Sequence, residues 1–411
     1  IRINSSSAFY LKGNSLYAMG KRVLYRRNNE SYSFNRTTAS VEKIYDNVKL
    51  FDSTTYFNGG TEYENLYFVS SIDNKLYGVG GNHYGQLGHN HAHEGHDEPM
   101  LVETKDRKPL LNVVQISTFY GAAYFVTESG ELWSIGNNSK GQLGLGDENG
   151  TDPTLSRLDN THRYLAEKVT DNVLSVEALP ERMFFITRDK NLYGVGRHDR
   201  NQLFYDRNNV KSDTDGNGTL EATEYISFPV FCKANVRSVT GNYWQSALVT
   251  YDNKAFICGG YIYSPYAHDY PNSTNRNWLH LNYSTSTRLT SKQINSSVSY
   301  KKLHMAKNGR SFYNPGLSDF WQLPYMIVET TQGGFFVNSW LGALDDYYKE
   351  RSDLSIDITS NSYALRVEWD NRRHTATNNN SIAITKMYQG LFNGIVLQRG
   401  TSHPPATQEP T

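Results

Sequence analysis

Twelve consecutive residues, Asp213-Thr-Asp-Gly-Asn-Gly-Thr-Leu-Glu-Ala-Thr-Glu224, set oxygen donors at alternate positions around two glycines. A hard cation such as calcium gathers about six to eight oxygens. Asp213, Asp215 and Asn217 offer side-chain oxygens, Thr219 a backbone carbonyl, and Glu224 a bidentate carboxylate. Glu221 acts directly or through water, and Gly218 stands where the chain must turn sharply. The stretch predicts a calcium site. A second cluster, His89-Asn-His-Ala-His-Glu-Gly-His-Asp-Glu98, carries imidazoles and carboxylates suited to a borderline metal such as zinc, although the same composition also describes an exposed polar loop. Ten Asn-x-Ser/Thr triplets offer glycan acceptors at Asn4, Asn29, Asn35, Asn137, Asn149, Asn272, Asn282, Asn295 and Asn379, with the tenth, Asn217, already spoken for by calcium. Gly-x-Ser-x-Gly, His-Glu-x-x-His, phosphate-loop and dinucleotide patterns are all lacking, and Asp345-Asp346 reads as a solvated turn, so no catalytic residue is assigned.

These residues must be positioned by a repeated hairpin. Ala122-Ala-Tyr-Phe-Val-Thr-Glu-Ser-Gly-Glu-Leu-Trp-Ser-Ile-Gly136 is an aromatic and β-branched run broken at Ser129-Gly130, which reads as two antiparallel strands around a tight turn. Variants occur at residues 8–20, 66–80, 183–196, 246–259, 325–337 and 383–395. The aromatic of the second strand marks the period at Tyr17, Tyr77, Trp133, Tyr193, Phe256, Phe336 and Phe392. A further strand opens with Asn47-Val48, Asn112-Val113, Asn172-Val173 and Asn235-Val236, the first followed by an insertion before its hairpin. A lone meander cannot bury its apolar face, so the units must stack face to face around an axis. The expectation is an all-β, seven-bladed propeller over residues 1–400, with a Pro/Ser/Thr-rich tail or linker at 401–411.

Leu76-Tyr-Gly-Val-Gly80 followed by Gly85-Gln-Leu-Gly88, and Leu132-Trp-Ser-Ile-Gly136 followed by Gly141-Gln-Leu-Gly144, resemble the signature of the regulator-of-chromosome-condensation (RCC1-like) repeat family, whose members are seven-bladed propellers. Asn201-Gln-Leu-Phe204 keeps half of that turn, and loss of its glycines suggests a remodelled loop. The Asp213–Glu224 stretch resembles the calcium loop of the EF-hand family. Its flanks do not: Asn208-Asn-Val-Lys-Ser212 is no amphipathic helix, and Tyr225-Ile-Ser-Phe-Pro-Val230 reads as a strand. A single calcium-ordered loop inserted between blade strands follows, in place of a paired helical sensor. By the same family inference, Ile1-Arg-Ile3 could complete a blade with the C-terminal end.

Forty-one basic and 41 acidic residues leave no net charge and no basic stripe, which argues against nucleic acid as a partner. No apolar run is long enough for a membrane-spanning helix. Cys232 and Cys258 are the only cysteines, and their predicted places, before one strand and at the far end of another, argue against a bridge within a blade. Residues 260–325 show little strand patterning, and Tyr261, Tyr263, Tyr266 and Tyr270 could either form a contact surface or cover the propeller's own side. The sequons, the tail, the start at Ile1 and a calcium loop together suggest an extracellular or cell-surface protein. The leading functional expectation is a non-enzymatic, glycosylated, calcium-binding propeller acting as a structural or adhesive module, with other proteins, or copies of itself in an assembly, as partners. The alternatives are the intracellular guanine-nucleotide exchange factor or regulatory scaffold that the RCC1-like resemblance implies, and a polysaccharide-active hydrolase or lyase centred on the channel.

Overall fold

The computed structural model describes residues 2–3, 7–22, 36–58, 61–146, 161–199, 201–205, 211–212, 221–222, 225–243, 245–259, 289–294, 299–305, 326–331, 335–338, 354–356, 364–365, 383–388 and 396–400. Among these residues every regular element is a strand. The strands form six four-stranded antiparallel sheets, one three-stranded sheet and a two-stranded ladder. The second sheet sets the pattern: inner strand Val48–Asn58, then Thr61–Ser70, Leu76–Asn82 and outer strand His93–Leu101. The third repeats it with Val113–Phe119, Ala122–Thr127, Leu132–Gly136 and Arg163–Thr170. The fourth uses Val173–Leu179, Arg182–Thr187, Leu192–Arg197 and Tyr225–Lys233, and the fifth Val236–Gly241, Gln245–Thr250, Ala255–Gly259 and Leu289–Gln293.

Each Asn-Val pair performs one task. Asn47, Asn112, Asn172 and Asn235 all adopt left-handed backbone, with φ between 54° and 62°, and the valine that follows starts the inner strand and is buried. Asparagine tolerates this region because its short polar side chain bonds locally.

Both faces of each middle strand are buried, which is why those strands read as continuous apolar runs. In Thr61–Ser70, Tyr67 and Val69 pack toward the third sheet with Ile116, Ala123 and Phe125, whereas Leu66 and Phe68 pack toward the first with Phe9, Leu16 and Ala18. The same division separates Tyr124 from Phe125, and Phe184 from Phe185. The core is therefore a series of apolar layers, one between each pair of neighbouring sheets from the first to the sixth.

Polar bonds run between the same neighbours. Asp52 of the second sheet accepts the Thr118 amide of the third at 3.0 Å and pairs with Arg2 of the first. Gln115 exchanges two bonds with the Val176 backbone, at 2.9 and 3.0 Å, while Ser117 Oγ accepts the Ala178 amide. Thr240 Oγ1 accepts the Met305 amide of the sixth sheet. Between the fourth and fifth sheets the link is Arg182, wholly buried, whose guanidinium donates to the carbonyls of Asn242, Tyr243 and Gln245, to Pro180 and to Ser246 Oγ.

Several expectations are corrected. Among the described residues Arg2–Ile3 pairs with Ser7–Lys12 as the inner strand of the first sheet and with no strand of the C-terminal end. The insertion after Val48 is a lengthened hairpin, with pairing from Val48↔Ser70 to Asn58↔Thr61. The region from 260 to 325 contains two strands, Leu289–Gln293 and Tyr300–Met305, while Tyr261, Tyr263, Tyr266 and Tyr270 lie outside the described residues. The last hairpin pairs Ala383–Tyr388 with Val396–Gly400, and Phe392 lies outside the described residues.

The Asn201 turn is not remodelled. Asn201 and Phe204 hold φ of 62° and 56°, close to the 66° and 74° of Gly141 and Gly144. What changes is the support beneath it. In the second and third sheets, Tyr67 and Tyr124 donate to the Gln86 and Gln142 carbonyls at 2.9 Å. The fourth sheet has Phe184 in that place, without a hydroxyl. Cys258 of the fifth sheet supplies the donor: its thiol lies 3.2 Å from the Gln202 carbonyl and accepts the Phe204 amide at 3.3 Å. Cys258 and Cys232 are both free, and burial pushes the Cys258 thiol up to about 12.

Candidate protein-interaction face

Successive strands of a sheet run antiparallel, so the turn from inner to second strand and the connection from third to outer strand emerge at one end of the ring. On the second and third sheets this end gathers aromatic rings. Tyr56 and Tyr63 stack across the long hairpin with centroids 5.6 Å apart, and His83 lies edge-on to Tyr63 at 4.2 Å. Tyr56 Oη and His83 Nδ1 are hydrogen-bonded at 3.0 Å. Tyr84 sits 5.7 Å and Tyr120 6.3 Å from Tyr56, and His162 meets Tyr84 edge-on at 5.1 Å. Tyr56 is buried beneath the group, whereas His83, Tyr84, Tyr120 and His162 are half-buried.

The protonation of this group suits contact better than proton transfer. Burial pushes the Tyr56 and Tyr84 phenols up and the His162 imidazole down. The Asn138 amide donates to His162 Nδ1 at 3.0 Å, which places the ring proton on Nε2. Near neutral pH the Tyr56 and Tyr84 phenols and the His162 imidazole are therefore uncharged.

The face continues onto the fourth and fifth sheets as charge. Arg197 forks onto Asp199 with two bonds of 2.9 Å, reaches Glu181 at 2.6 Å, and lies 4.6 Å from the Tyr243 ring centre. Burial opposes the Arg197 charge, but the hydrogen bonds from Asp199 and Glu181 outweigh it and hold the guanidinium protonated. Gln202 Nε2, from the preserved turn, steadies Asp199 at 2.8 Å. Neither this network nor the Tyr56 group was singled out in the sequence. An arginine opening the apolar run Arg182-Met-Phe-Phe-Ile186 was a usable signal of a buried cation, and it was passed over.

The calcium stretch leaves the fourth sheet at the same end, between Arg197 and Tyr225. Downstream, Tyr225–Lys233 is a strand, as read from the sequence; upstream, Lys211–Ser212, read there only as no amphipathic helix, pairs with Glu221–Ala222 of the stretch itself, Ser212 opposite Glu221. Asp213, Asp215, Asn217, Thr219 and Glu224 lie outside the described residues. Around the histidine run, no group of three or more His, Cys, Asp or Glu among the described residues forms a ready-made ion site.

Asp52, on an inner strand, is a latch: it takes Arg2 and the Ser53 amide on Oδ1 and the Thr118 amide on Oδ2, so its oxygens are committed to holding three sheets together.

The fold is that of a β-propeller, and its repeated turn and left-handed asparagines resemble an RCC1 repeat. Residues 73–118 match the Regulator of chromosome condensation (RCC1) repeat. That span runs from the third strand of one sheet to the inner strand of the next, so the sequence repeat straddles two blades. The chain is 30% identical over 158 residues to the E3 ubiquitin-protein ligase HERC2 of Mus musculus and of Homo sapiens, covering 38% of this chain and 3% of those proteins. It therefore spans a small fraction of the curated relatives it matches. Prp20p of Saccharomyces cerevisiae, described with its binding to Gsp1p and histones, superposes at a TM-score of 0.51 with 13% identity, over 83% of this chain and 71% of that one. Yeast RCC1 (Prp20) bound to Kap60 gives 0.43 and 18%, over 62% and 54%.

These comparisons point away from the extracellular or cell-surface placement: the repeat is shared with the HERC2 ubiquitin ligases and the fold with Prp20p, described with Gsp1p and histones. The structure opposes one glycan acceptor directly. Asn137 is buried, with its Oδ1 accepting the Ser139 amide and its Nδ2 donating to the Tyr120 carbonyl, so its amide cannot carry a glycan in the folded chain. Asn4, Asn29, Asn35, Asn149, Asn272, Asn282, Asn295 and Asn379 lie outside the described residues. Among the described residues no helix is long and apolar enough to cross a membrane.

Proposed function

We propose that this chain is a non-catalytic, RCC1-like regulatory scaffold that acts inside the cell by docking a protein on the loop-bearing end of its ring. The observation that carries this reading is that the aromatic group of Tyr63, His83, Tyr84 and Tyr120 and the Arg197–Tyr243 pair both lie at this end of their sheets. Tyrosine and arginine are the residues most enriched at binding hot spots, where rigid rings bury area at low entropic cost. The balanced charge favours a protein over a nucleic acid. Guanine-nucleotide exchange on a small GTPase is the narrower version, supported by the Gsp1p binding described for Prp20p.

The test is capture of partners by wild-type chain and by two double variants, quantified by mass spectrometry. Tyr84→Ser with Tyr120→Ser should weaken capture of the principal partner about tenfold or more, the scale of a hot-spot loss. Ile72→Ser with Leu174→Ser removes exposed apolar side chains at the opposite end and should leave capture unchanged. The reverse pattern would place the interface on that end.

Calcium is part of the same proposal. Pairing of Lys211–Ser212 with Glu221–Ala222 closes the base of the acidic stretch, and an ion would neutralise its clustered carboxylates. Asp213→Ala with Glu224→Ala should abolish calcium-dependent thermal stabilisation. Unchanged calcium affinity and melting temperature in that variant would refute the site.

A further inference from the structure

The histidine run is not absorbed by the interaction face. Three of its imidazoles meet: ring centres lie 5.5 Å apart for His89 and His96, 5.8 Å for His91 and His96, and 6.3 Å for His89 and His91. Three imidazoles bound to one tetrahedral ion at about 2.0–2.1 Å place their ring centres about 5 Å apart. The observed separations are thus close to those a shared ion would set. As they stand the rings pack edge to face or tilted and are not aimed at one point.

The backbone beneath them is already fixed. His89 directly follows the left-handed Gly88, whose amide donates to the Gly85 carbonyl. The Asn90 amide donates to the Tyr164 carbonyl at 2.9 Å, tying the segment to the third sheet. Buried Asn82 holds both ends, its Nδ2 donating to the His91 carbonyl at 3.0 Å and its Oδ1 accepting the Leu87 amide at 2.9 Å. His96 belongs to the outer strand of the second sheet, opposite Gly80. Only side-chain torsions remain to be set, so little backbone entropy opposes capture.

One ring is also prepared electronically. His91 Nδ1 lies 2.6 Å from the His89 carbonyl, which can only accept, so this bond puts a proton on Nδ1 and makes Nε2 the nitrogen that would bind an ion. A backbone acceptor behind the distal nitrogen is the usual support of a metal-binding imidazole.

We propose that His89, His91 and His96 form a binding site for a transition-metal ion of the zinc type, with water or a further donor in the fourth position. Nitrogen donors select such an ion over calcium, which prefers oxygen. The site and the acidic stretch at 213–224 therefore answer to different metals.

Isothermal titration of the tag-free chain with zinc chloride, paired with zinc-dependent thermal shift, tests this. One stoichiometric site is expected, with affinity falling about tenfold or more in His89→Ala and in His96→Ala, at least the loss seen for second-shell changes. Asp213→Ala with Glu224→Ala should leave zinc affinity unaltered. His91 and His96 are solvent-accessible, so melting curves of His91→Ala and His96→Ala without zinc should match wild type and confirm folding. Absence of a stoichiometric site, survival of binding in the His89→Ala/His96→Ala double variant, or loss of binding in the Asp213/Glu224 variant would each overturn the assignment.

Discussion

Replacing Arg182 with alanine is expected to destabilise the chain by about 3–5 kcal/mol, the range found when a buried, hydrogen-bonded charge network loses one partner. The guanidinium donates to four carbonyls and one hydroxyl drawn from the fourth and fifth sheets. No carboxylate is among these acceptors, and burial lowers the Arg182 pKa to about 10, still well above physiological pH. Removal takes a donor from each of these carbonyls and from the Ser246 hydroxyl and opens a void between two sheets. Lysine should rescue little, because an ammonium cannot reproduce the planar fork that reaches both sides at once. Equilibrium urea unfolding measures the effect, and a loss below about 1 kcal/mol for Arg182→Ala would show that solvent or neighbouring groups replace the network.

Acidification is expected to cost stability through His304. This residue lies on the inner strand of the sixth sheet, and burial, then the charge of Lys302, depresses its pKa from 6.5 to about 4 despite Glu329 nearby. The folded chain therefore holds the imidazole neutral where the unfolded chain takes up a proton. Between those values the unfolded state binds more protons, so stability is fully present above about pH 6.5 and declines down to about pH 4. A shift of this size corresponds to on the order of 3 kcal/mol at the acid end. Burial lowers the His162 pKa too, which adds to the trend. Unfolding free energies measured from pH 7.5 to 4 in wild type and His304→Gln would read the contribution directly. An identical acid slope in both would place the proton uptake elsewhere.

Architecture was legible because it is written locally and many times. A hairpin of about 14 residues, an Asn-Val start and a Gly-Gln-Leu-Gly turn each carry their own conformational reason, and repetition removes the ambiguity of any single copy. The copies that drift were harder. The final hairpin was set too early because Phe392 imitates the aromatic of the earlier units, while the structure begins the second strand at Val396. The links between sheets were not legible at all. Asp52 reaches Thr118 and Arg182 reaches Asn242 across 66 and 60 residues, and no local pattern announces either partner. The Tyr56 group was invisible for the same reason, as its rings come from two hairpins and two connections. Loop chemistry read from spacing could not register burial: the glycan acceptor at Asn137 is a buried structural amide.

The Cys258 thiol under the Asn201 turn has a consequence for how such a ring evolves. In the second and third sheets the tyrosine that completes the turn travels with its own unit, so those units are self-sufficient at this point. The fourth unit has delegated that bond to its successor. A duplicate of it inserted before any unit bearing valine or isoleucine at the aligned position, as at Val79, Ile135 and Val195, would arrive with a Gln202 carbonyl that its new neighbour cannot serve. The two units have become a linked pair in inheritance, and recombination that keeps this ring foldable must cut on either side of them.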